Sequence, residues 1–439
     1  MLDKMNRDKI SSVIIWSVIS AAFIGPGTVT TAVSAGSLYQ LDLMWAVVFA
    51  TIACVVLQEV SARITIASGL SLGQAVIKKF GSQKGFWINM SIGMSVLLGC
   101  AAYEAGNILG AVSGMNLLFE GDLPAARLPD GQGQAGGKLY TILISLFALF
   151  VLWSGKQKWI STLMTILVGM MGIAFFVLAL NIDFSISEVM ASGFSPKIPM
   201  GAEMITLGLL GTTIVPYNLF LGSGISKGQT IPIMRMGLTI SVLIGGIVTA
   251  WILLAGTLVH DFSSFPVLAD EFQNRVGAIG ALALGVGLFA AGFSSAITSP
   301  YAASIIATHV LGAEKKRSVR LVWGSVLLTG FLFGISGVKP IPIILAVQAL
   351  NGLILPLVTA YLIIIVNDDE LVPKEFRHAR LYNLLLLIIF SSVLLIGLTS
   401  IDKSISAFAG WKESHFTLIV TVTTLLVFTV GWNLFKSKA

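Results

Sequence analysis

Gly25-Pro26-Gly27-Thr28-Val29-Thr30-Thr31 interrupts one long apolar run of this chain, and Gly211-Thr212-Thr213-Ile214-Val215-Pro216-Tyr217-Asn218 interrupts another. Proline has no backbone N–H, and its ring collides with the preceding turn, so each stretch breaks a helix. The flanking glycines weaken the helix further. Both runs are long enough to cross a bilayer, near residues 11–37 and 201–226. In hydrocarbon, freed N–H and C=O groups find no water. Such backbone is tolerated only where it is buried in protein or lines a cavity.

The rest of the chain fits that reading. Of its 439 residues, 56% are hydrophobic and 11% charged, against about 25% charged in soluble domains, and the mean hydropathy is +0.91. This composition excludes a soluble enzyme, a disordered chain and a nucleic-acid binder, and leaves an all-α polytopic membrane protein whose partner is the lipid bilayer. Twelve apolar runs reach spanning length, near 11–37, 43–67, 86–117, 137–154, 158–181, 201–226, 234–258, 276–309, 317–337, 340–366, 380–399 and 414–435. Their length argues against a β-barrel, whose strands are about ten residues.

The charge of +6 follows from Lys and Arg in loops rather than from a nucleic-acid partner. With the N-terminus inside, nineteen Lys and Arg fall inside, seven fall outside, and Arg63 lies within a span. That split predicts a multi-pass protein of the cell membrane with both termini cytoplasmic. The first run is followed at once by further spans, so it is read as retained rather than as a cleaved signal. The longest outside loop is near 118–136, and a second outside segment, 182–200, is expected on the membrane surface. Neither forms a domain, so 1–439 is read as one transmembrane unit. Cys54 and Cys100 lie in apolar runs and say nothing about redox compartment.

The two breaks fall at corresponding places five spans apart, as in secondary carriers built from inverted repeats. The repeats are then 11–181 and 201–366, with two extra helices in 380–435. Simple proline kinks are the alternative. On the carrier reading, the broken backbone and its neighbours Gly25, Pro26, Gly27, Thr28, Thr30, Thr31, Thr212, Thr213, Val215, Tyr217 and Asn218 form a substrate site. Glu59 and Arg63, four apart on the second span, share a face and can pair, either as a structural ion pair or as a gate or coupling site. His260, His309, His378 and His415 lie in loops or near span ends and are expected to cluster with no carboxylate, so no metal site is expected. Asp368-Asp369-Glu370 reads as a solvated loop. Neither a phosphate-binding loop nor a nucleophile triad stands out, which argues against an enzyme, a nucleotide-driven pump and any cofactor.

The chain resembles the Nramp family, proton-coupled divalent-metal transporters of the leucine-transporter-type fold. The resemblance rests on Gly36-Ser37-Leu38-Tyr39 with Leu57-Gln58-Glu59-Val60-Ser61-Ala62-Arg63, on Val215-Pro216-Tyr217-Asn218-Leu219, and on Ala290-Ala291-Gly292-Phe293-Ser294-Ser295-Ala296-Ile297-Thr298. It implies two inverted five-helix repeats, a glutamine near the ion at Gln348, and an acidic pair for proton movement in the third span, which appears here as Glu104 and Asn107, an acid and an amide. It also implies metal ligands that this chain lacks. The family's helix-1 Asp and Asn positions are Gly25 and Thr28; its helix-6 methionine is Val215, the adjacent histidine is Tyr217, and a second histidine position is Gly222. Fold relatives place sodium between helix-1 carbonyls and helix-8 hydroxyls, here Ser294, Ser295 and Thr298.

A dication in a low-dielectric cavity needs anionic ligands to offset its lost hydration, and the breaks carry no carboxylate. Helix N-termini at the breaks favour anions. The expectation is therefore a small polar or anionic substrate, bicarbonate first, coupled to Na+ or H+. The alternatives are a divalent cation, Mn2+ or Mg2+, coupled to H+, and a channel or sensor. The oligomeric state is left open.

Overall fold

The computed structural model describes residues 2–119, 134–260, 262–310, 312, 315–409 and 415–436, and among them the chain is helical with no strand. The expected loop 118–136 lies for the most part outside the described residues. In chain order the helices are α1 (Leu2–Phe23), α2 (Pro26–Tyr39), α3 (Met44–Ser68), α4 (Leu72–Phe80), α5 (Ser82–Phe119), α6 (Gln134–Ser154), α7 (Gln157–Ala179), α8 (Ile186–Gly193), α9 (Glu203–Thr213), α10 (Pro216–Ser226), α11 (Ile231–Gly256), α12 (Phe265–Val276), α13 (Ala278–His309), α14 (Lys316–Ser336), α15 (Pro340–Val366), α16 (Arg380–Ala409) and α17 (Phe416–Lys436).

Among the described residues, nine helices are long and apolar enough to cross a membrane, and α1 with α2 makes a tenth as one span bent by 61°. The apolar stretches of α15 and α17 that can be described are shorter, Ile354–Val366 and Phe416–Trp432. All twelve expected runs coincide with helices. The two breaks differ, however: α9 and α10 run together as a single span, Glu203–Ser226, while the first break turns the chain sharply. Three short helices, α4, α8 and α12, join spans where the apolar pattern gave no signal. α8 begins at a capping box, in which Ser185 accepts from the Glu188 amide and the Glu188 carboxylate accepts from the Ser185 amide. It exposes Ile186 and Met190, as a segment lying on a membrane surface would.

The spans pack through small residues. An added Cβ at Gly114 would lie 2.3 Å from the backbone nitrogen of Phe289, and one at Gly292 would lie 2.3 Å from that of Ala111, so α5 and α13 touch backbone to backbone. Gly36 and Gly256 do the same for α2 and α11. Around these contacts α1, α2, α3, α10 and α11 form one packed group, while α5, α7, α13 and α14 form another. Both breaks lie buried between the two groups.

Candidate functional site

Helix α1 ends at Phe23 and α2 begins at Pro26, with Gly25 as N-cap in an extended conformation (φ −101°, ψ −176°). The glycine is therefore not needed for its backbone angles. The space beside it is tight: an added Cβ would stand 2.8 Å from Ser295 Oγ, which would have to turn, and 3.6 Å from Asn107 Oδ1. Residues from α5 and α13 are thus drawn against the break of the first span. At the second break Val215 is the N-cap of α10, also extended, with Pro216 at the first helical position.

A helix that stops inside a protein strands carbonyls at one end and amides at the other. Here the two ends are treated differently. The carbonyl end of α1 is covered by hydroxyls: Ser294 and Ser295 donate to Ala21 O at 3.3 and 3.2 Å, Tyr217 donates to Ala22 O at 3.0 Å, and Thr28 donates to Phe23 O. At the end of α9, Tyr103 donates to Gly211 O at 2.9 Å. The two tyrosine rings meet edge to face, 5.5 Å apart. By contrast, no side chain caps the N-terminus of α2 or of α10. Hydroxyls thus cover the Ala21, Ala22, Phe23 and Gly211 carbonyls, while the amides that open α2 and α10 have no side-chain cap.

The site residues expected from the sequence divide accordingly. Gly25, Pro26, Gly27, Thr28, Thr30, Thr31, Thr212, Thr213, Val215, Tyr217 and Asn218 are all buried. Thr30 Oγ1, Thr31 Oγ1 and both amide atoms of Asn218 are buried without a hydrogen-bond partner among the described residues. Groups of that kind are costly to leave unmet, and this marks them as ligand-facing candidates. Thr212 and Thr213 differ from these: both hydroxyls donate back to Leu209 O, at 3.0 and 3.2 Å, the local bond that Thr makes when no outside acceptor competes. Thr28 and Tyr217 are likewise occupied, on α1. The side chain of Gln348, on α15, lies outside the described residues.

Among the coupling candidates, Asn107 Nδ2 donates to Glu104 Oε2 at 3.3 Å, and Glu104 Oε1 is buried without a partner. Glu104 backs onto α14, where an added Cβ at Gly330 would lie 2.7 Å from its Cγ. Asn107, one turn on, reaches the break and links it to the acid. Thr298 donates to Ser295 O at 3.4 Å. At Gly222, the position of the family's second histidine, an added Cβ would lie 2.2 Å from Gln58 Oε1, so a side chain there would require Gln58 to move. Gln58 Oε1 is itself buried and unpartnered.

Glu59 and Arg63 do pair, with Arg63 Nη2 at 2.5 Å and Nε at 3.0 Å from Glu59 Oε1. The pair is the centre of a larger cluster. Arg235 of α11 donates to Oε1 at 2.8 Å. His378 lies 2.6 Å from Oε2, and Tyr382 donates to it at 3.3 Å. Arg63 also donates to Phe376 O at 2.5 Å, and the rings of His378 and Tyr382 stack 3.9 Å apart. This corrects the expectation that no histidine meets a carboxylate. His415, 2.8 Å from Asp402, corrects it again. A carboxylate has about four acceptor positions and one arginine does not fill them; that was the available signal for further partners. Asp368 and Asp369 are also not simply solvated, since Lys79 pairs with the first and Arg377 with the second, at 2.5 Å. Among the described residues, no group of three or more His, Cys, Asp or Glu is placed to hold a metal ion.

Comparison with known proteins agrees with the fold. The family model described as natural resistance-associated macrophage protein-like matches residues 17–401. The divalent metal cation transporter MntH of Caldanaerobacter subterraneus subsp. tengcongensis is 22% identical over 397 residues, 87% of this chain and 90% of that protein. The crystal structure of the Eremococcus coleocola manganese transporter, bound to an aromatic bis-isothiourea compound, superposes with a TM-score of 0.74 over 97% of this chain and 94% of that one, at 18% identity. MhsT in complex with L-phenylalanine superposes with a TM-score of 0.63 over 96% and 98%, at 14% identity. The fold is the leucine-transporter type. The two metal-transporter names favour the divalent-cation alternative over the anion expectation.

Proposed function

Because the chain belongs to the Nramp family, we propose that it is a secondary active transporter whose ion binds between the α1/α2 and α9/α10 breaks and crosses by alternating access. The two inverted repeats, 11–181 and 201–366, supply one break each, and one helix group rocks against the other. The helices of 380–435 lie outside both repeats. A position in the cell membrane with both termini cytoplasmic is supported by the loop charges. The ion pairs join residues that the charge split places on one side, Lys79 with Asp368 and Arg377 with Asp369, or on the other, Lys197 with Asp42.

We infer that the transported ion is a small oxyanion such as bicarbonate, coupled to Na+ or H+. One observation carries this reading: no side chain caps the helix N-terminus at either break, while hydroxyls already donate to the Ala21, Ala22 and Phe23 carbonyls at the first break and to the Gly211 carbonyl at the second. Aligned amides at a helix N-terminus attract negative charge. The unpartnered hydroxyls of Thr30 and Thr31 and the amide of Asn218 supply donors beside them. Gly25 leaves no carboxylate to repel an anion.

The second reading, a divalent cation such as Mn2+ or Mg2+ coupled to H+, is better supported by the names of the relatives. Within the chain its support is Glu104, linked to the first break through Asn107. Uptake into proteoliposomes separates the two. The anion reading requires saturable bicarbonate uptake that manganese and magnesium do not inhibit. Saturable manganese or magnesium uptake with no bicarbonate uptake under any ion gradient overturns it. Uptake driven by a sodium gradient and indifferent to a pH gradient assigns the coupling to sodium, for which Ser294, Ser295 and Thr298 are the candidate ligands. The reverse assigns it to the proton.

A further inference from the structure

α6 and α14 are lightly buried spans, with 28% and 22% of their apolar windows inside the protein. They meet at the end that carries the α6–α7 turn. There the Arg320 guanidinium of α14 lies 4.1 Å from the centre of the Trp153 ring of α6, and Trp153 meets Trp323 edge to face at 6.5 Å. One turn along, Lys156 Nζ stands 5.1 Å from the Trp159 ring. Lys316 and Arg317 lie four and three residues before Arg320, on its face of α14. Trp153 and Trp159 remain 58% and 59% exposed despite these contacts.

Some cations elsewhere at this end are matched: Lys79 with Asp368, Arg377 with Asp369, and Arg63 and Arg235 with Glu59. Lys156, Lys316, Arg317 and Arg320 have no carboxylate partner among the described residues. Arg320 and Lys156 lie instead over the exposed indole rings of Trp153 and Trp159, with Lys316 and Arg317 beside Arg320 on α14, at the rim of two lipid-facing helices. Positive charge held above aromatic faces, with Phe147 and Phe150 exposed on the same helix, matches a molecule that has an anionic head and an apolar tail. Guanidinium forks bind phosphate bidentately. Tryptophan settles at the headgroup level of a bilayer, and basic pockets between spans bind anionic headgroups.

We propose that the rim formed by α6, the α6–α7 turn and α14 is a binding site for the headgroup of an anionic phospholipid, with its acyl chain along the exposed face of α6. A lipid seated there ties α6 to α14, the helix that backs Glu104 through Gly330. The proposal does not depend on which ion is carried.

Native mass spectrometry of the full chain, titrated with phosphatidylglycerol or phosphatidylcholine, tests it. The wild type should retain phosphatidylglycerol at least tenfold more tightly. R317Q/R320Q should lose affinity by roughly 25-fold, about fivefold for each cation removed near the surface. K78Q/K374Q, which removes two exposed lysines away from the rim, should change it less than twofold, and R320K should retain most of it. K156Q/K158Q in the exposed turn serves as a second loss-of-charge variant should R317Q/R320Q fail to fold. Equal retention of both lipids, an equal loss in the K78Q/K374Q control, or full displacement by millimolar inorganic phosphate would overturn the proposal.

Discussion

Substituting Gly25 with Asp tests the proposed site directly. The added Cβ would stand 2.8 Å from Ser295 Oγ, so Ser295 must turn away. Ser294 also donates to Ala21 O, so that carbonyl keeps a partner and the fold loses about 1 kcal/mol, one ordinary hydrogen bond. The new carboxylate would sit beside the uncapped start of α2. With an ion about 5 Å away and an effective dielectric constant of about 20, a unit negative charge contributes about 3 kcal/mol, or roughly two orders of magnitude in binding. The sign depends on the cargo. A bicarbonate carrier should lose uptake about a hundredfold, with near-normal thermal stability, and G25D/S295A should remove the steric contact without restoring bicarbonate uptake. A divalent-cation carrier should gain affinity instead. The assay is radiolabelled bicarbonate and manganese uptake in proteoliposomes, with the melting temperature measured on the same preparations. Undiminished bicarbonate uptake by a well-folded G25D protein would refute the placement of the anion at this break.

Three further outcomes follow from the geometry. Y217F removes the donor to Ala22 O and Y103F the donor to Gly211 O; each should cost about 1–3 kcal/mol by stranding a buried carbonyl, and an unchanged melting temperature would show that these carbonyls have other partners. E59Q leaves Arg63 buried without a counter-charge and should cost about 3–5 kcal/mol; E59Q/R63Q should recover part of that loss, and strict additivity of the two single changes would remove the argument that the pair is coupled. Burial holds the imidazole of His378 below its usual range, against the opposing pull of Glu59, and Arg63 and Arg235 add to the lowering. The unfolded chain then takes up a proton that the folded one resists, so stability is full above about pH 6.5 and declines as pH falls below it. H378N should flatten that decline in thermal melts, and parallel curves for the two proteins would count against it. Tyr382 and Glu59 face the same ring, so the melts should be repeated with Y382F.

The sequence alone determined where the chain crosses the membrane and where it breaks. Apolar runs and proline–glycine stretches act locally: each run must be a helix in hydrocarbon, and Pro26 and Pro216 interrupt two of them whatever surrounds them. The same local logic paired Glu59 with Arg63, four residues apart on one face. It could not separate Thr212 and Thr213, which bond back to Leu209, from Thr30 and Thr31, whose hydroxyls have no partner among the described residues. That difference depends on how each helix is rotated against its neighbours. Tertiary structure also chose the remaining partners of Glu59. Arg235 and His378 are 176 and 319 residues away in sequence, and no periodicity within a span encodes such a meeting. It arises only when α3, α11 and the turn before α16 pack together, because a buried carboxylate gathers every donor that packing brings within reach.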